Sequence, residues 1–185
     1  DINHIFDFIM DDEVGGAGDQ GMMFGYAVND TKELLPTAMI ILQRLSKWYD
    51  IERLNCSYLR SDGKAEITGY YDDKMKLKKI KYFTISYQND EEHRDYTDNL
   101  IKEACINICK DYDIEIEEFL INPTGRFEIG GFEGDSGLTG RKIVVDSYQS
   151  FCKVGGGAFS GKDPTKVDRS CLLYTSDAAD DKARV

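Results

Sequence analysis

Glycine and charge are unevenly distributed along this chain, and the asymmetry separates a loop-rich part from the rest. Ten of the 17 glycines lie between residues 125 and 161. Residues 126–170 hold seven lysines and arginines against six acidic residues, a charge of +1, whereas the whole chain carries −11. Glycines let backbone amides approach a ligand closely, and cations attract anions. A basic, glycine-rich segment in an acidic protein therefore predicts an anion-binding site.

The overall composition predicts one or two ordinary globular domains. Of the 185 residues, 41% are hydrophobic and 31% are charged, which provides enough apolar surface for a core. The net charge of −11 would repel a polyanion, so nucleic acid is not the expected partner. The longest purely apolar run, residues 38–42, is far shorter than the roughly 20 residues of a membrane helix. We therefore expect no membrane partner.

Cysteine usage and the two ends of the chain give further expectations. The five cysteines form no C-x-x-C pair, and their odd number favours a reducing cytoplasm over secretion. Cys105 and Cys109 share a predicted helical face, where buried neutral thiols are commoner than ligands. The chain begins at Asp1 rather than at a methionine, which predicts missing upstream sequence. Residues 171–185, CLLYTSDAADDKARV, continue no periodic pattern, and we interpret them as a non-native tail.

Hydrophobic periodicity predicts two amphipathic helices and four strands. The helices carry apolar residues at helical spacing, and the strands are rich in β-branched and aromatic residues. The predicted helices cover residues 34–48 and 96–110, and the predicted strands cover residues 65–71, 77–87, 119–121 and 141–146. A turn at residues 72–74 predicts an antiparallel hairpin. This succession of helices and strands predicts an α+β layer with helices on one face of a mixed sheet.

Two glycine-rich strings carry groups that could bind a ligand. Residues 15–21, GGAGDQG, place Asp19 among small residues, where a carboxylate can bind an ammonium, a hydroxyl or a metal. Such a string is more often only a turn. Residues 134–142, GDSGLTGRK, end in Arg141 and Lys142. The guanidinium can bind a phosphate chain through two hydrogen bonds, and the ammonium can bind it as a point charge. A hairpin turn with solvated charges explains the second string equally well.

Two further strings lie on either side of residues 134–142. Residues 155–170, GGGAFSGKDPTKVDRS, alternate Lys162 and Lys166 with carboxylates, which suits a magnesium nucleotide better than a flexible linker. Residues 122–127, NPTGRF, supply a turn followed by a cation and by Phe127, an aromatic ring that could stack on adenine. A place for Phe127 in the core has at least equal weight.

Taken together, these strings resemble the methionine adenosyltransferase (S-adenosylmethionine synthetase) family. The matching strings occur in the family's order and include GAGDQGMMFGYA, NPTGRF-x-IGG, GD-x-GLTGRKI-x-VD and GGGAFSGKDPTKVDRS. The resemblance spans residues 1–170 and implies three similar α+β subdomains around a pseudo-threefold axis. It implies the end of the N-terminal subdomain and a mobile loop at residues 1–14, the central subdomain at residues 15–129 and the start of the C-terminal one at residues 130–170.

The resemblance also implies an activity. In this family the sulfur of methionine attacks C5′ of ATP and expels the triphosphate, which is hydrolysed to pyrophosphate and phosphate. Little acid–base chemistry is needed, so catalysis rests on positioning and electrostatics. The family uses two Mg²⁺ ions and K⁺, and its sites lie between two subunits. The resemblance therefore implies a cytoplasmic dimer or tetramer that takes ATP and L-methionine.

Carried over by motif, the resemblance assigns roles to individual residues. The implied ATP contacts are Asp62, Lys64, Arg126, Phe127, Asp135, Arg141, Lys142, Ala158 and Lys162. Among these, the implied catalytic cations are Arg141, Lys142 and Lys162. The implied methionine contacts are Asp19, Asp135 and Lys166, and Asp168 is the implied metal ligand.

Departures from the family pattern leave alternatives open. The family's His-Pro-Asp-Lys motif and its potassium-site glutamate are missing from these 185 residues, so we expect the chain alone to be inactive. Glu133 places an acidic charge beside the expected triphosphate. One alternative is a non-catalytic regulatory homologue that binds the enzyme dimer, and another is an unrelated ATP phosphotransferase. Five retained residues of the expected site argue against the first, because a subunit that only binds has no reason to keep them: Asp135, Arg141, Lys142, Lys162 and Lys166.

Overall fold

A three-stranded mixed sheet organises residues 35–136, one of the two units into which the chain divides. The computed structural model describes residues 24–159, 161, 162, 166, 168 and 169. Strand β1 (Leu59–Tyr71) pairs antiparallel with β2 (Leu77–Asn89), and β2 pairs in parallel with β3 (Glu115–Ile121). The predicted hairpin is therefore confirmed, and β1 and β3 begin earlier than their sequence patterns indicated.

Two helices accompany the sheet, as predicted. Helix α1 (Thr37–Asn55) begins after Pro36, whose fixed backbone angle suits a helix start, and it extends beyond the predicted end at residue 48. Leu34 has a φ of 57°, so the helix cannot begin there as predicted. Helix α2 (Arg94–Lys110) follows a short 3-10 helix (Glu91–His93). The helices contact each other, α1 contacts β1 and α2 contacts β3, so both lie on one face of the sheet.

The core lies between these helices and the central strand. Ile41 of α1 and Ile101 of α2 are fully or almost fully buried, as are Ile80 and Phe83 of β2. The rings of Phe83 and Phe119 stack with centroids 6.1 Å apart, which joins β2 to β3. Burying such side chains supplies about 1.5–3 kcal/mol each, so this face determines which side of the sheet is covered.

Cys105 and Cys109 belong to the same core. Both are buried in α2, and burial raises the pKa of the Cys105 thiol far above its ordinary value. Burial also raises the pKa of Cys109 to about 11. Both thiols are therefore neutral at physiological pH, which confirms the interpretation of this pair as core residues.

The buried residues of β2 do not follow simple alternation. Leu77, Ile80 and Phe83 are buried, and they lie three residues apart rather than two. The pairing with β1 shifts twice over this stretch, so β2 carries two residues without a partner there. Each such β-bulge reverses which residues of a strand face the core. A Cβ atom at Gly69, beside one bulge, would overlap the Leu77 side chain.

The prediction of a strand at residues 141–146 is wrong. A single helical turn, α3 (Ile143–Asp146), occupies this stretch, and Val144 and Val145 are exposed. The Asp146 amide donates to the carbonyl of Lys142 at 3.0 Å. A short apolar run is ambiguous between helix and strand. Its described backbone bond is therefore local, within the turn itself.

The second unit combines residues before 35 with residues after 136. The rings of Tyr26 and Tyr148 meet edge to face within it, with centroids 4.9 Å apart. Asp19 and residues 1–14 and 171–185, for which the sequence made predictions, lie outside the described residues. Among the residues that are described, no helix combines the length and apolar character that crossing a bilayer requires.

Asp72 holds the turn between β1 and β2. Its Oδ1 accepts hydrogen bonds from the amides of Lys74 and Lys76 at 2.9 and 3.0 Å. Its Oδ2 lies 3.0 Å from the Lys78 ammonium. The Lys76 amide, followed by the Lys78 ammonium, lowers the pKa of Asp72 to about 2. These bonds favour the charged carboxylate in the folded protein.

We expect Asp72→Asn to destabilise the protein at neutral pH but to have no effect at strongly acidic pH. The folded-state pKa of Asp72 is below its unfolded value, so its contribution is complete above about pH 4 and is lost as the pH falls towards 2. Denaturant unfolding of wild type and variant across this range measures the difference. Asp73→Asn is the control because it removes the same charge from the same turn and leaves Asp72 with its bonds to Lys74, Lys76 and Lys78. A difference independent of pH would contradict this role for Asp72.

Candidate functional site

A cleft of about 340 Å³ opens where the start of β1 meets the end of β2. The segment after β3 closes its other side. The lining residues are Arg60, Ser61, Gln88, Gly130, Gly131, Phe132 and Asp135. All of them belong to the unit of residues 35–136. The cleft therefore combines two strand ends with one glycine-rich loop.

A bulge at the start of β1 forms one wall. Leu59 lies opposite Asn89 and Gly63 lies opposite Tyr87, so β1 carries two extra residues between these pairs. Bulges redirect side chains out of the regular ladder, and they are common beside functional sites. The hydroxyl of Tyr49 donates to the carbonyl of Arg60 at 2.7 Å and supports the bulge from α1. Burial raises the pKa of Tyr49, which keeps this hydroxyl a donor.

The end of β2 holds the segment that leaves β3. The Asn89 amide donates to the carbonyl of Phe127 at 3.0 Å. The side chain of Gln88, only 8% exposed, donates from Nε2 to the carbonyl of Glu128 at 2.8 Å. These bonds continue the sheet beyond β3 without a further strand. They fix the backbone of Phe127 and Glu128 against the end of β2, where Gln88 lines the cleft.

A glycine turn forms the opposite wall, and Asp62 fastens it. Oδ2 of Asp62 accepts a hydrogen bond from the Gly131 amide at 2.8 Å. A Cβ atom at Gly130 would come within 2.9 Å of Asp62, and Gly131 has a φ of 64°, so both positions favour glycine. The Asp135 amide in turn donates to the carbonyl of Gly131 at 2.8 Å. Asp62 thus orders the loop that brings Asp135 to the cleft.

The structure brings together some of the predicted residues of this unit and leaves others apart. Asp135 lines the cleft, and Asp62 contacts its glycine wall. Lys64 is exposed on β1, Arg126 is exposed and pairs with the Glu128 carboxylate, and Phe127 is half-buried. None of these three lines the cleft. Their contacts with ATP stay predictions.

Sequence reasoning missed several lining residues, among them Arg60, Gln88 and Phe132. Arg60 is the cation of the cleft lining, and Phe132 is 94% exposed at its edge. Gln88 is recognisable only from its bond to the Glu128 carbonyl. Arg60 did leave a signal, since it stands two residues before Asp62, an implied ATP contact. Phe132 follows two glycines and had no periodic pattern around it.

In the second unit, the glycine-rich string holds a partly buried ion pair. Nζ of Lys162 lies 2.5 Å from Oδ2 of Asp168, which is 9% exposed, and the Arg169 guanidinium donates to the Lys162 carbonyl. A Cβ atom at Gly157 would overlap the Asp168 carboxylate, so the glycine makes room for it. Three predicted site residues of this string are half-buried: Ala158, Lys162 and Lys166. Arg141 and Lys142 are exposed.

The expected Mg²⁺ finds a partial fit in this unit. Among the described residues, no group of three histidine, cysteine, aspartate or glutamate side chains is arranged to hold a metal. Mg²⁺ is usually bound by one or two carboxylates together with substrate phosphates, so a single oxygen ligand is enough for the protein's part. The carboxylate of Asp168 is compatible with that role. No described group corresponds to the implied K⁺ site, which stays a prediction.

Comparison with known proteins identifies the class. The model of the S-adenosylmethionine synthetase central domain matches residues 14–127, and that of the C-terminal domain matches residues 129–180. The chain belongs to the S-adenosylmethionine synthetase family. This confirms the resemblance and its α+β fold, whereas the pseudo-threefold arrangement stays a prediction. The second match overlaps residues 171–180, which we interpreted as part of a non-native tail, and the origin of that segment also stays a prediction.

Two curated relatives carry the same family name. The chain is 43% identical over 170 residues to S-adenosylmethionine synthase of Fusobacterium nucleatum subsp. nucleatum, covering 89% of this chain and 44% of the relative. It is 47% identical over 163 residues to S-adenosylmethionine synthase of Streptococcus agalactiae serotype III, covering 84% and 40%. The chain therefore spans about two fifths of the length of these relatives.

We expect Asp62→Ala to loosen the glycine turn. Loss of a charge-assisted bond worth about 1.5–3 kcal/mol should speed exchange of the Gly131 amide by roughly tenfold or more. Hydrogen–deuterium exchange of peptides covering residues 129–136 in the complete protein measures this change. Glu66→Ala, at an exposed position of the same strand, is the control. Equal exchange in wild type and Asp62→Ala would show that the bond does not order the turn.

Proposed function

We propose that the complete protein is a methionine adenosyltransferase that forms S-adenosylmethionine from ATP, L-methionine and water and releases pyrophosphate and phosphate. The observation that carries the proposal is the pair of consecutive family domains, matched at residues 14–127 and 129–180. Both curated relatives are named S-adenosylmethionine synthase. The cations proposed as catalytic, Arg141, Lys142 and Lys162, lie within the second matched domain.

The proposed catalytic groups are Arg141, Lys142 and Lys162. Expulsion of triphosphate develops negative charge on the leaving group, and fixed cations stabilise that charge most where water is excluded. The guanidinium can bind two phosphate oxygens as a fork, and each ammonium acts as a point charge. Because a thioether is already a nucleophile, these residues have to position the triphosphate and neutralise its charge rather than transfer protons.

The partly buried Lys162–Asp168 pair supports this assignment. A carboxylate at 2.5 Å holds the ammonium in one direction before any ligand arrives. A cation restrained in this way loses little conformational freedom when phosphate oxygens approach. Bound Mg²⁺ would neutralise part of the triphosphate charge, and Asp168 would supply one of its oxygen ligands. The carboxylate would then serve both cations.

The remaining residues are proposed to bind the substrates. For ATP we assign Asp62, Lys64, Arg126, Phe127, Asp135 and Ala158, and for methionine we assign Asp19, Asp135 and Lys166. We also propose K⁺ as a cofactor, a cytoplasmic location and a dimer or tetramer with its sites between subunits. The chain of 185 residues alone would not form S-adenosylmethionine, because the family's His-Pro-Asp-Lys motif is not in it.

Assay of the protein from its complete reading frame tests the proposal. With ATP and methionine together, it should produce S-adenosylmethionine, pyrophosphate and phosphate in equal amounts. A phosphotransferase would instead release ADP. A regulatory homologue would give no product alone and would change the rate of an active synthase added to it. Either of these results would overturn the proposed function.

We expect Lys162→Ala to lower turnover by about a hundredfold or more in the complete protein, because a cation directed at the leaving group is lost. Steady-state kcat with saturating ATP and methionine measures the effect. Lys47→Ala removes the same charge from an exposed position of α1 and should leave kcat unchanged. An unaltered kcat in Lys162→Ala would remove its assigned catalytic role.

A further inference from the structure

We propose that Asn122 is a positioning residue for nucleotide binding. Its buried side chain bonds to both backbone groups of Tyr87 and thereby directs the turn that presents Arg126 and Phe127. The inference rests on the proposed function, because it takes these two residues as contacts of ATP. Asn122 itself would not touch the ligand.

The side chain of Asn122 takes the place of a strand. It is 3% exposed, Oδ1 accepts from the Tyr87 amide at 2.9 Å, and Nδ2 donates to the Tyr87 carbonyl at 3.2 Å. β3 ends one residue earlier, where Ile121 lies opposite Ile85. The side-chain amide therefore continues the β2–β3 ladder by one more step, although the backbone has already turned away.

The backbone at Asn122 requires this kind of residue. Its φ is 42°, in the left-handed region that asparagine tolerates better than most side chains. Tyr87 is 1% exposed, so its amide and carbonyl would be left buried without these partners. Unpaired backbone groups are costly in a protein interior. The turn and the end of β2 therefore depend on the same side chain.

Bonds on both sides of the turn make its direction specific. The Gly125 amide donates to the carbonyl of Asn122 at 2.8 Å, which closes the turn. Two residues later, the Asn89 amide donates to the carbonyl of Phe127 at 3.0 Å. Arg126 and Phe127 thus lie between two attachments to the end of β2. Loss of the Asn122 side chain would leave the segment held at its far end, by the bonds from Asn89 to Phe127 and from Gln88 to Glu128.

The chain offers a matched control that separates positioning from stability. Thr97 of α2 is fully buried, and its Oγ1 lies 2.7 Å from the hydroxyl of the same Tyr87. Thr97→Val preserves the shape of this side chain and removes the hydrogen bond. Both Thr97 and Asn122 are therefore bonded to Tyr87, but only Asn122 also begins the turn that leads to Arg126.

The decisive variant is Asn122→Gly in the complete protein. Glycine accepts the left-handed backbone but removes both bonds to Tyr87, so the effect of the side chain is isolated. We expect Asn122→Gly and Thr97→Val both to lower the thermal unfolding midpoint. Only Asn122→Gly should raise the KM for ATP, on the order of tenfold, because small displacements of binding groups are costly. It should also speed hydrogen exchange in residues 122–128, which Thr97→Val should not.

Several results would overturn the inference. One is a KM for ATP in Asn122→Gly equal to that of wild type, with activity reduced only in proportion to the unfolded fraction. Another is an equal rise of KM in Thr97→Val. If Asn122→Gly does not fold, Asn122→Asp keeps the acceptor but loses the donor, and an unchanged KM there would overturn the inference as well.

Failure of the proposed function is distinguishable from failure of this inference. Wild type that forms no S-adenosylmethionine would disprove the activity, and with it the assignment of Asn122 to nucleotide binding. Wild type that is active, together with an Asn122→Gly variant of unchanged KM and unchanged exchange, would disprove the positioning role alone.

Discussion

The hydrogen bonds at the end of β2 are the interaction on which the candidate site depends. The pairing of β2 with β3 ends at Ile85, yet Tyr87, Gln88 and Asn89 each hold a residue of the segment that follows β3. These bonds use buried or half-buried polar groups, whose loss would leave unpaired donors and acceptors in the interior. The order of the segment therefore follows from the order of the central strand.

Irregularity at the strand ends creates the space for a site. A regular antiparallel pair would place β1 and β2 in contact along their whole length, without a cleft. Two extra residues in β1 open the ladder, and the Tyr49 hydroxyl bonds to the carbonyl freed there. On the other side, glycines permit a turn so close to Asp62 that a Cβ atom at Gly130 would nearly clash with it. The core thus supplies a rigid base, and the irregular start of β1 together with the glycine turn forms the site.

The two units carry different parts of the proposed chemistry. Asp62 and Asp135 belong to the unit that contains the sheet, whereas Lys162 and Asp168 belong to the other. In each unit a carboxylate and a glycine combine: Asp62 with the Gly130–Gly131 turn, and Asp168 with Gly157. The same physical solution therefore recurs, since a glycine leaves room for a carboxylate that bonds to a neighbouring donor.

The sequence by itself determined the family, the α+β class, the hairpin, both long helices and the neutral core thiols, because these follow from motif order and local periodicity. Only the tertiary structure decided what depends on distant partners. The run at residues 141–146 was predicted as a strand and forms a helical turn, since local pattern cannot tell whether a neighbouring strand exists. The partners of Asn122 and Asp62 lie 35 and 69 residues away along the chain, so no local spacing could reveal them. Hydrogen bonds of that range exist only once the sheet has brought its strand ends together.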